Sequence, residues 1–344
     1  MGHMKKFKCP NCLSTKYVIH YGKRKQVMRM FCKKCKKHFS FNPCFLNRKR
    51  ILNDHLDGIS FRKLEIKYDI SKSKLSRICL EELKKLPNNN EFTQKYCNRY
   101  SHVFIFDGKY VKIKGNRFKI PLLWGIDYFR HDIPFFILSS SENYHSWIKL
   151  FSYFKFINHS PKLIVCDDNV NIKMAVRYIF PGCCVQTCIN HFKENIRREL
   201  KVRSDNTYKA FSHKIDSILS KKLSDEVFNK WFSILVRDYK HDFVALSILA
   251  NIQKCKHELL GYRGIPRAPL TSNLIECFNS HLQSRLFSLK SFNSFKHARL
   301  WLNGYILKRR YTKFTSCGLK FRYLNGKKGV DLTKKHGVIL PTFF

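Results

Sequence analysis

The plainest chemistry in the chain belongs to four cysteines. "CPNC" (Cys9, Cys12) and "CKKC" (Cys32, Cys35) are two C-x2-C pairs separated by 19 residues. Each pair forms a knuckle, and two knuckles complete the tetrahedral thiolate shell of one structural Zn2+. The intervening residues alternate in strand fashion with a turn expected at Tyr21–Gly22. Residues 5–45 are therefore expected to be a zinc ribbon whose folding free energy comes from the metal. His38 and Cys44 lie nearby and read as bystanders.

Carboxylates are scarce, with 24 Asp and Glu against 66 Lys and Arg. Glu276, in "TSNLIECFN", is the only acid between Glu258 and Asp331, among 14 Lys and Arg. Asp107 closes the apolar run "HVFIFDG" and Asp167 closes "KLIVCDD". Ligands of open α/β sheets gather at the carboxyl ends of strands. Acids that meet there raise one another's pKa unless cations neutralise them. Mg2+ prefers such hard oxygen ligands, and two such ions can serve the attacking and leaving oxygens of a phosphodiester. Each acid also has a plainer role open to it. A strand-end Asp is a turn former or helix cap, and Asn273 followed by Glu276 fits a capping box. Cys188 and His191, in "CINH", suit a buried thiol and a helix-capping imidazole.

The elements that must position these residues can be read along the chain. Three strands between residues 102 and 140 precede a helix over "SENYHSWIKLFSYFKFI". Strand, helix, strand and helix follow through "NHFKENIRREL". Antiparallel strands followed by βα crossovers give an α/β fold with a mixed sheet and helices on both faces. Residues 203–262 read as three helices, with Ser224 and Asp225 as capping signals and nothing of catalytic spacing. Upstream, Leu52, Leu56, Ile59 and Leu64 suit the inner side of two short helices with Gly58 at a turn. Ser71 then caps a third helix that turns Lys72, Ser73, Lys74 and Arg77 outward and Leu75 and Ile78 inward. This is a helix-turn-helix pattern over 48–86, although a plain helical hairpin has the same periodicity. "LPNNNEF" has linker composition, which places a boundary in 87–100.

A formal charge of +42 on a chain with 30 Phe and 16 Tyr describes a folded protein that shares its surroundings with a polyanion. Nucleic acid is the expected partner. Lys308, Arg309 and Arg310, interleaved with Tyr305, Tyr311 and Phe314, read as backbone-phosphate contacts with steep salt dependence. No apolar run is long enough to span a bilayer, and "MGHM" reads as a cloning remnant. Fourteen cysteines without a signal peptide imply reduced thiols and a cytoplasmic, nucleoid-associated location.

The ordered combination of "FDGKYVKIKG", "LIVCDD", "IFPGCCVQTCINHFKENI", "IPRAPLTSNLIECFNSHLQ" and "SFNSFKHARLWLNGYILKRR" resembles the DDE transposases of bacterial insertion sequences, in the Mutator-like group. The resemblance covers most of residues 100–325. It implies a ribonuclease-H-like core split into 101–202 and 263–312 around the all-helical insertion at 203–262, with a basic tail at 313–344. It implies Asp107, Asp167 and Glu276 as catalytic carboxylates holding two Mg2+ or Mn2+. Asp168 follows Asp167 where relatives often carry Gly. Cys188 and His191 match the group's C-x2-H motif, of uncertain role like Asn273 and Asn279. The implied activity is strand cleavage and transfer on double-stranded DNA, at terminal repeats and target, by a dimer or larger assembly. A DNA-binding regulator without activity and a ribonuclease-H-like nuclease or resolvase are the competing readings.

Overall fold

The computed structural model describes residues 7–24, 27–41 and 47–344. Cys44 lies outside them. The chain divides into two compact units, Met1–Arg48 and Lys49–Phe344.

In the first unit β1 (Val18–Arg24), β2 (Val27–Cys32) and β3 (Lys37–Phe41) form an antiparallel sheet in that order. The expected turn at Tyr21–Gly22 is instead a bulge. His20 pairs with Met30 and Gly22 with Arg29, which leaves Tyr21 as the extra residue. Gly22 takes φ 127°, a value few side chains tolerate. The strand therefore continues to Arg24. The four sulfurs of Cys9, Cys12, Cys32 and Cys35 lie within 4.8 Å of one another. Leu13 and Lys36, each directly after the second cysteine of its pair, both adopt left-handed backbone (φ 56° and 52°), so the two knuckles share one turn geometry. Apart from Cys9 and Cys32, Met30 is the only buried hydrophobic residue among the described residues of this unit. One such side chain cannot hold a fold of this size, and the set of four thiols fits a tetrahedral Zn2+. Chelation is accordingly expected to unfold residues 7–41. All four tryptophans lie beyond residue 120, so their fluorescence should not change while backbone amide protection in 7–41 is lost. Retained protection after complete zinc removal would show that the metal is not the source of stability.

The second unit opens with α1 (Arg48–Leu56), α2 (Phe61–Tyr68) and α3 (Lys72–Lys85). Leu52, Leu56, Leu64, Leu75 and Ile78 are buried, and Lys72, Ser73, Lys74 and Arg77 are exposed. Ser71 occupies the N-cap position of α3 without a side-chain hydrogen bond. Glu65 takes that role, accepting from the Lys72 amide at 3.1 Å.

Residues 87–100 are not a linker. They contain α4 (Asn89–Tyr96), capped by the Asn88 side chain. Asn90 donates to the Phe136 carbonyl (2.9 Å) and accepts from the Phe136 amide (3.1 Å). A side-chain amide has the donor and acceptor of a peptide group, so Asn90 closes a strand edge as another strand would. A composition that reads as polar and mobile is here polar and buried.

The main sheet has the order β6-β5-β4-β7-β8. Its strands are β4 (Val103–Val111), β5 (Ile120–Asp127), β6 (Phe136–Leu138), β7 (Leu163–Cys166) and β8 (Cys184–Thr187). The first three are antiparallel, and β4, β7 and β8 run parallel. α5 (Tyr144–Ser152) and α6 (Val170–Ile179) cover one face through a core of Phe104, Phe106, Leu123, Trp147, Phe151 and Ile164. α7 (Ile189–Glu199) follows β8. The interruption is helical as expected: α8 (Lys209–Leu219), α9 (Asp225–Asp238) and α10 (Phe243–Leu259). α11 (Asn273–Leu289) lies against β4, and α12 (Phe295–Tyr311) follows.

The segment after α12 is packed. Phe314, Leu324 and Val330 are buried, and Tyr311 donates to the Pro341 carbonyl at 2.8 Å. A short helix, α13 (Gly329–Thr333), lies within it.

Candidate active site

Asp107 does not end its strand. β4 continues to Val111 and pairs Asp107 with Trp124 of β5. Its parallel neighbour β7 reaches only as far as Ile105. Asp107 therefore lies just past the end of β7, where Asp167 follows Cys166. The two aspartates share one end of the sheet because of the strand register, each lying two residues beyond the Ile105–Val165 pair.

The third acid arrives on α11. Its N-cap is Ser272, and the Asn273 side chain accepts instead from Asn190 Nδ2 at 2.9 Å. The capping box between Asn273 and Glu276 is thus not formed. Ser272 Oγ donates to Glu276 Oε1 at 2.6 Å and stands 3.1 Å from Cys188 Sγ. One turn further along α11, Asn279 is fixed by chemistry. Trp124 Nε1 can only donate, so it holds Asn279 Oδ1 (3.1 Å), and the amide nitrogen must face Asp107 Oδ2 (2.6 Å). One helix therefore carries Glu276 and orients Asp107.

His191 stands among the acids. Its Nδ1 is 3.5 Å from Asp167 and its Nε2 is 3.7 Å from Glu276. The Cys188 thiol, one turn earlier, raises the imidazole pKa to about 9, and Asp167 and Glu276 add to the effect. His191 is a cation at neutral pH. Burial pushes the Cys188 thiol up, but His191 and Ser272 outweigh it and the net shift is downward. Cys188, His191 and Glu276 offer ligand atoms within 4.8 Å of one another; Asp107, Asp167 and Glu276 form no such close group among the described residues. Burial raises Asp107 to about 6; the Gly108 amide opposes the shift and Glu142 adds to it.

Asp168 is committed elsewhere. It pairs with Lys173, which also binds Glu258 of α10 at 2.6 Å. Glu258 further engages Arg177 and Thr187. The helical insertion, without catalytic spacing of its own, is thereby tied to the sheet beneath Asp167. Asp167 itself stays half exposed.

Glu142 carries no motif in the sequence, yet it belongs to the site. Its carboxylate accepts from Tyr110 of β4 (2.7 Å) and from Asn169 (3.0 Å), the N-cap of α6. It joins the strand of Asp107 to the turn of Asp167. A Cβ on Gly108 would stand 2.4 Å from Glu142 Oε2, so the contact requires glycine there. The one signal in the sequence is isolation, since Glu142 is the only acid between Asp132 and Asp167.

The "KRR" triplet divides. Arg310 is fully buried, with its guanidinium on Asp132 (2.8 Å to each oxygen), Asn89 and Thr93. It offers nothing to DNA. Lys308 pairs with Asp57 at 2.7 Å. Tyr305 and Phe314 are buried, so these aromatics are core and not a stacking surface. Of the three, Arg309 alone is left without an ion pair among the described residues.

No helix among the described residues is long and apolar enough to cross a membrane. No curated protein matches the chain. A solved structure is matched with 12% identity, covering 65% of this chain and 77% of that one: "CryoEM structure of simian T-cell lymphotropic virus intasome in complex with PP2A regulatory subunit B56 gamma". The TM-score of 0.23 is too low for that likeness to carry an argument. The family described as "Transposase, Mutator family" matches residues 49–300, a span that contains the two strands, the C-x2-H turn and the helix around which this site is built. The chain belongs to the Mutator family of transposases.

Proposed function

We propose that the protein is a metal-dependent DNA transposase on a ribonuclease-H-like core, with Asp107, Asp167 and Glu276 as its catalytic carboxylates. The observation that carries this reading is that Asp167 from the end of β7 and Glu276 from α11 flank one imidazole, while Asn279 of the same helix donates to Asp107 on β4. The donor set suits Mg2+ or Mn2+: hard oxygens, two of them half exposed. Bound there, divalent ions would supply charge stabilisation at phosphorus and polarise the attacking oxygen.

The chain's own groups set the geometry. Asn279 holds Asp107 through one oxygen and leaves the rest of the carboxylate to Gly108 N–H and the site. Ser272 does the same for Glu276. His191 offsets the mutual repulsion of Asp167 and Glu276. In the reaction, water adds to the scissile phosphorus and the 3′-oxygen leaves, protonated, at the element's end. That 3′-hydroxyl then attacks a target phosphodiester, one bond forming as one breaks. The zinc ribbon and α1–α3, with Lys72, Ser73, Lys74 and Arg77 exposed on α3, are assigned to terminal-repeat recognition as a helix-turn-helix. Joining two ends calls for a dimer or larger assembly.

Glu142 is assigned as a positioning residue. Glu142→Ala should lower cleavage about tenfold or more, since small displacements of a reacting group have effects of this order. Glu142→Gln, which can retain both hydrogen bonds, should restore most of it, and the Mg2+ half-saturation should rise only in Ala. Equal loss in both variants at unchanged Tm would reject positioning in favour of a need for the charge itself. The function as a whole is tested by Mn2+- or Mg2+-dependent cutting and joining of DNA bearing the element's ends. Binding without either activity, in every metal, would favour the regulator.

A further inference from the structure

On the side of α11 turned away from Glu276, α11, α12 and residues 312–318 line a half-open cavity of about 430 Å3. Arg309 reaches into it with its guanidinium over the rings of Phe278 (4.8 Å) and Phe314 (5.0 Å). Two aromatic faces hold the planar group in place but supply no hydrogen-bond acceptor. No carboxylate pairs with Arg309 among the described residues. The one acid lining the cavity, Asp57, is bound to Lys308. Arg285 and Lys313 line the same space, so the unpaired charge is compounded. His131, 7% exposed, also lines it, and its Nε2 is buried with no hydrogen-bond partner.

An unpaired, half-buried guanidinium beside further cations is costly unless an anion completes it. The fork geometry of Arg, pre-set by stacking, matches the oxygens of a phosphate. The space is too small for a protein segment of any length, and the chain is too poor in acids for a second copy to be the natural donor. We infer that this cavity is a built phosphate site, in which Arg309, supported by Arg285 and Lys313, grips one backbone phosphate of a DNA strand on the side of α11 away from Glu276 and Asn279. The proposal rests on DNA being the substrate. It goes beyond that reading in naming a contact separate from the acids, where shape as well as charge decides affinity.

Charge alone and a built site are separated by Arg309→Lys. The full-length, zinc-loaded protein is titrated with fluorescein-labelled duplex and single-stranded oligonucleotides over a salt series. Wild type is compared with Arg309→Lys, Arg309→Met and Lys296→Met, the last an exposed lysine on the same helix. Both Arg309 variants should weaken binding of the strand about tenfold, the scale of a lost charge-assisted hydrogen bond, while Lys296→Met stays within about twofold. Met keeps the packing on Phe278 and Phe314, so Tm should hold or rise in Arg309→Met. A falling Tm would make Arg309 structural. If Arg309→Lys binds as wild type, only diffuse charge is at work and the inference fails. It fails equally if inorganic phosphate binding is lost in Arg309→Met while strand affinity is unchanged, because the site then takes free phosphate. If wild type binds no DNA even at low salt, it is the underlying reading that falls.

Discussion

Glu276→Gln is expected to lower metal-dependent strand cleavage and joining at least about a thousandfold, equivalent to roughly 4 kcal/mol of transition-state stabilisation. Folding and DNA affinity should be unchanged. The Ser272 hydroxyl can donate to an amide oxygen as it does to the carboxylate. The start of α11 does not depend on Glu276, because Asn273 is engaged with Asn190 and no capping box exists to lose. What Gln removes is the negative charge that a divalent ion requires of its ligand. The comparison is made with Mg2+ and Mn2+ on DNA carrying the element's ends, with Tm and anisotropy as controls. Equal activity of the two proteins would remove Glu276 from the site. A drop matched by loss of Tm would show that its contacts to Ser272 and His191 serve the fold.

The second large effect lies away from the site. Arg310→Met should destabilise residues 49–344 by about 3–5 kcal/mol, because it strands the Asp132 carboxylate in the interior. Asp132 would keep Thr333 (2.5 Å) and Tyr100 (3.3 Å) but lose both guanidinium contacts. Asn89 and Thr93 of α4 would lose their partner as well. Urea unfolding followed by the buried Trp124, Trp147 and Trp301 reports on this unit. In a double-mutant cycle with Asp132→Asn, the second change should cost much less once Arg310 is gone, since no charge is then left unpaired. Additive losses would mean that the pair is not coupled and that packing of the arginine stem dominates. The Arg310–Asp132 pair is in this respect a keystone between α4, α12 and α13.

Both results bear on how far the sequence can be read. Paired cysteines at fixed spacing, apolar strands and a lone glutamate are local facts, and local facts carry their own physics. C-x2-C pairs specify a metal whatever surrounds them. A buried strand must be apolar on both faces, which is why "HVFIFDG" and "KLIVCDD" are legible as strands. Charge misleads wherever burial can reverse its meaning. Arg309 and Arg310 are adjacent and chemically identical, yet one faces a cavity and the other is sealed against Asp132. "NNN" reads as a linker because asparagine is polar, but Asn88 caps α4, Asn89 bonds the Pro134 carbonyl and Asn90 pairs with the edge of β6. Glu142 escapes a reading of the sequence because its partners, Tyr110 and Asn169, lie 32 and 27 residues away.

The sequence alone determined the zinc-type cysteine set, the order of strands and helices between residues 102 and 199, the helical interruption and the family. It also singled out the three acids proposed as catalytic. Only the tertiary structure decided how those acids stand: the register of β4 on β7 brings Asp107 level with Asp167, and Trp124 dictates which end of Asn279 faces Asp107. Only it separated Asp167 from Asp168, by committing the latter to Lys173 and the insertion helix. The reason is general. Identity and spacing are written along the chain, whereas the ionisation, partner and accessibility of a polar group depend on what residues far away in sequence place beside it.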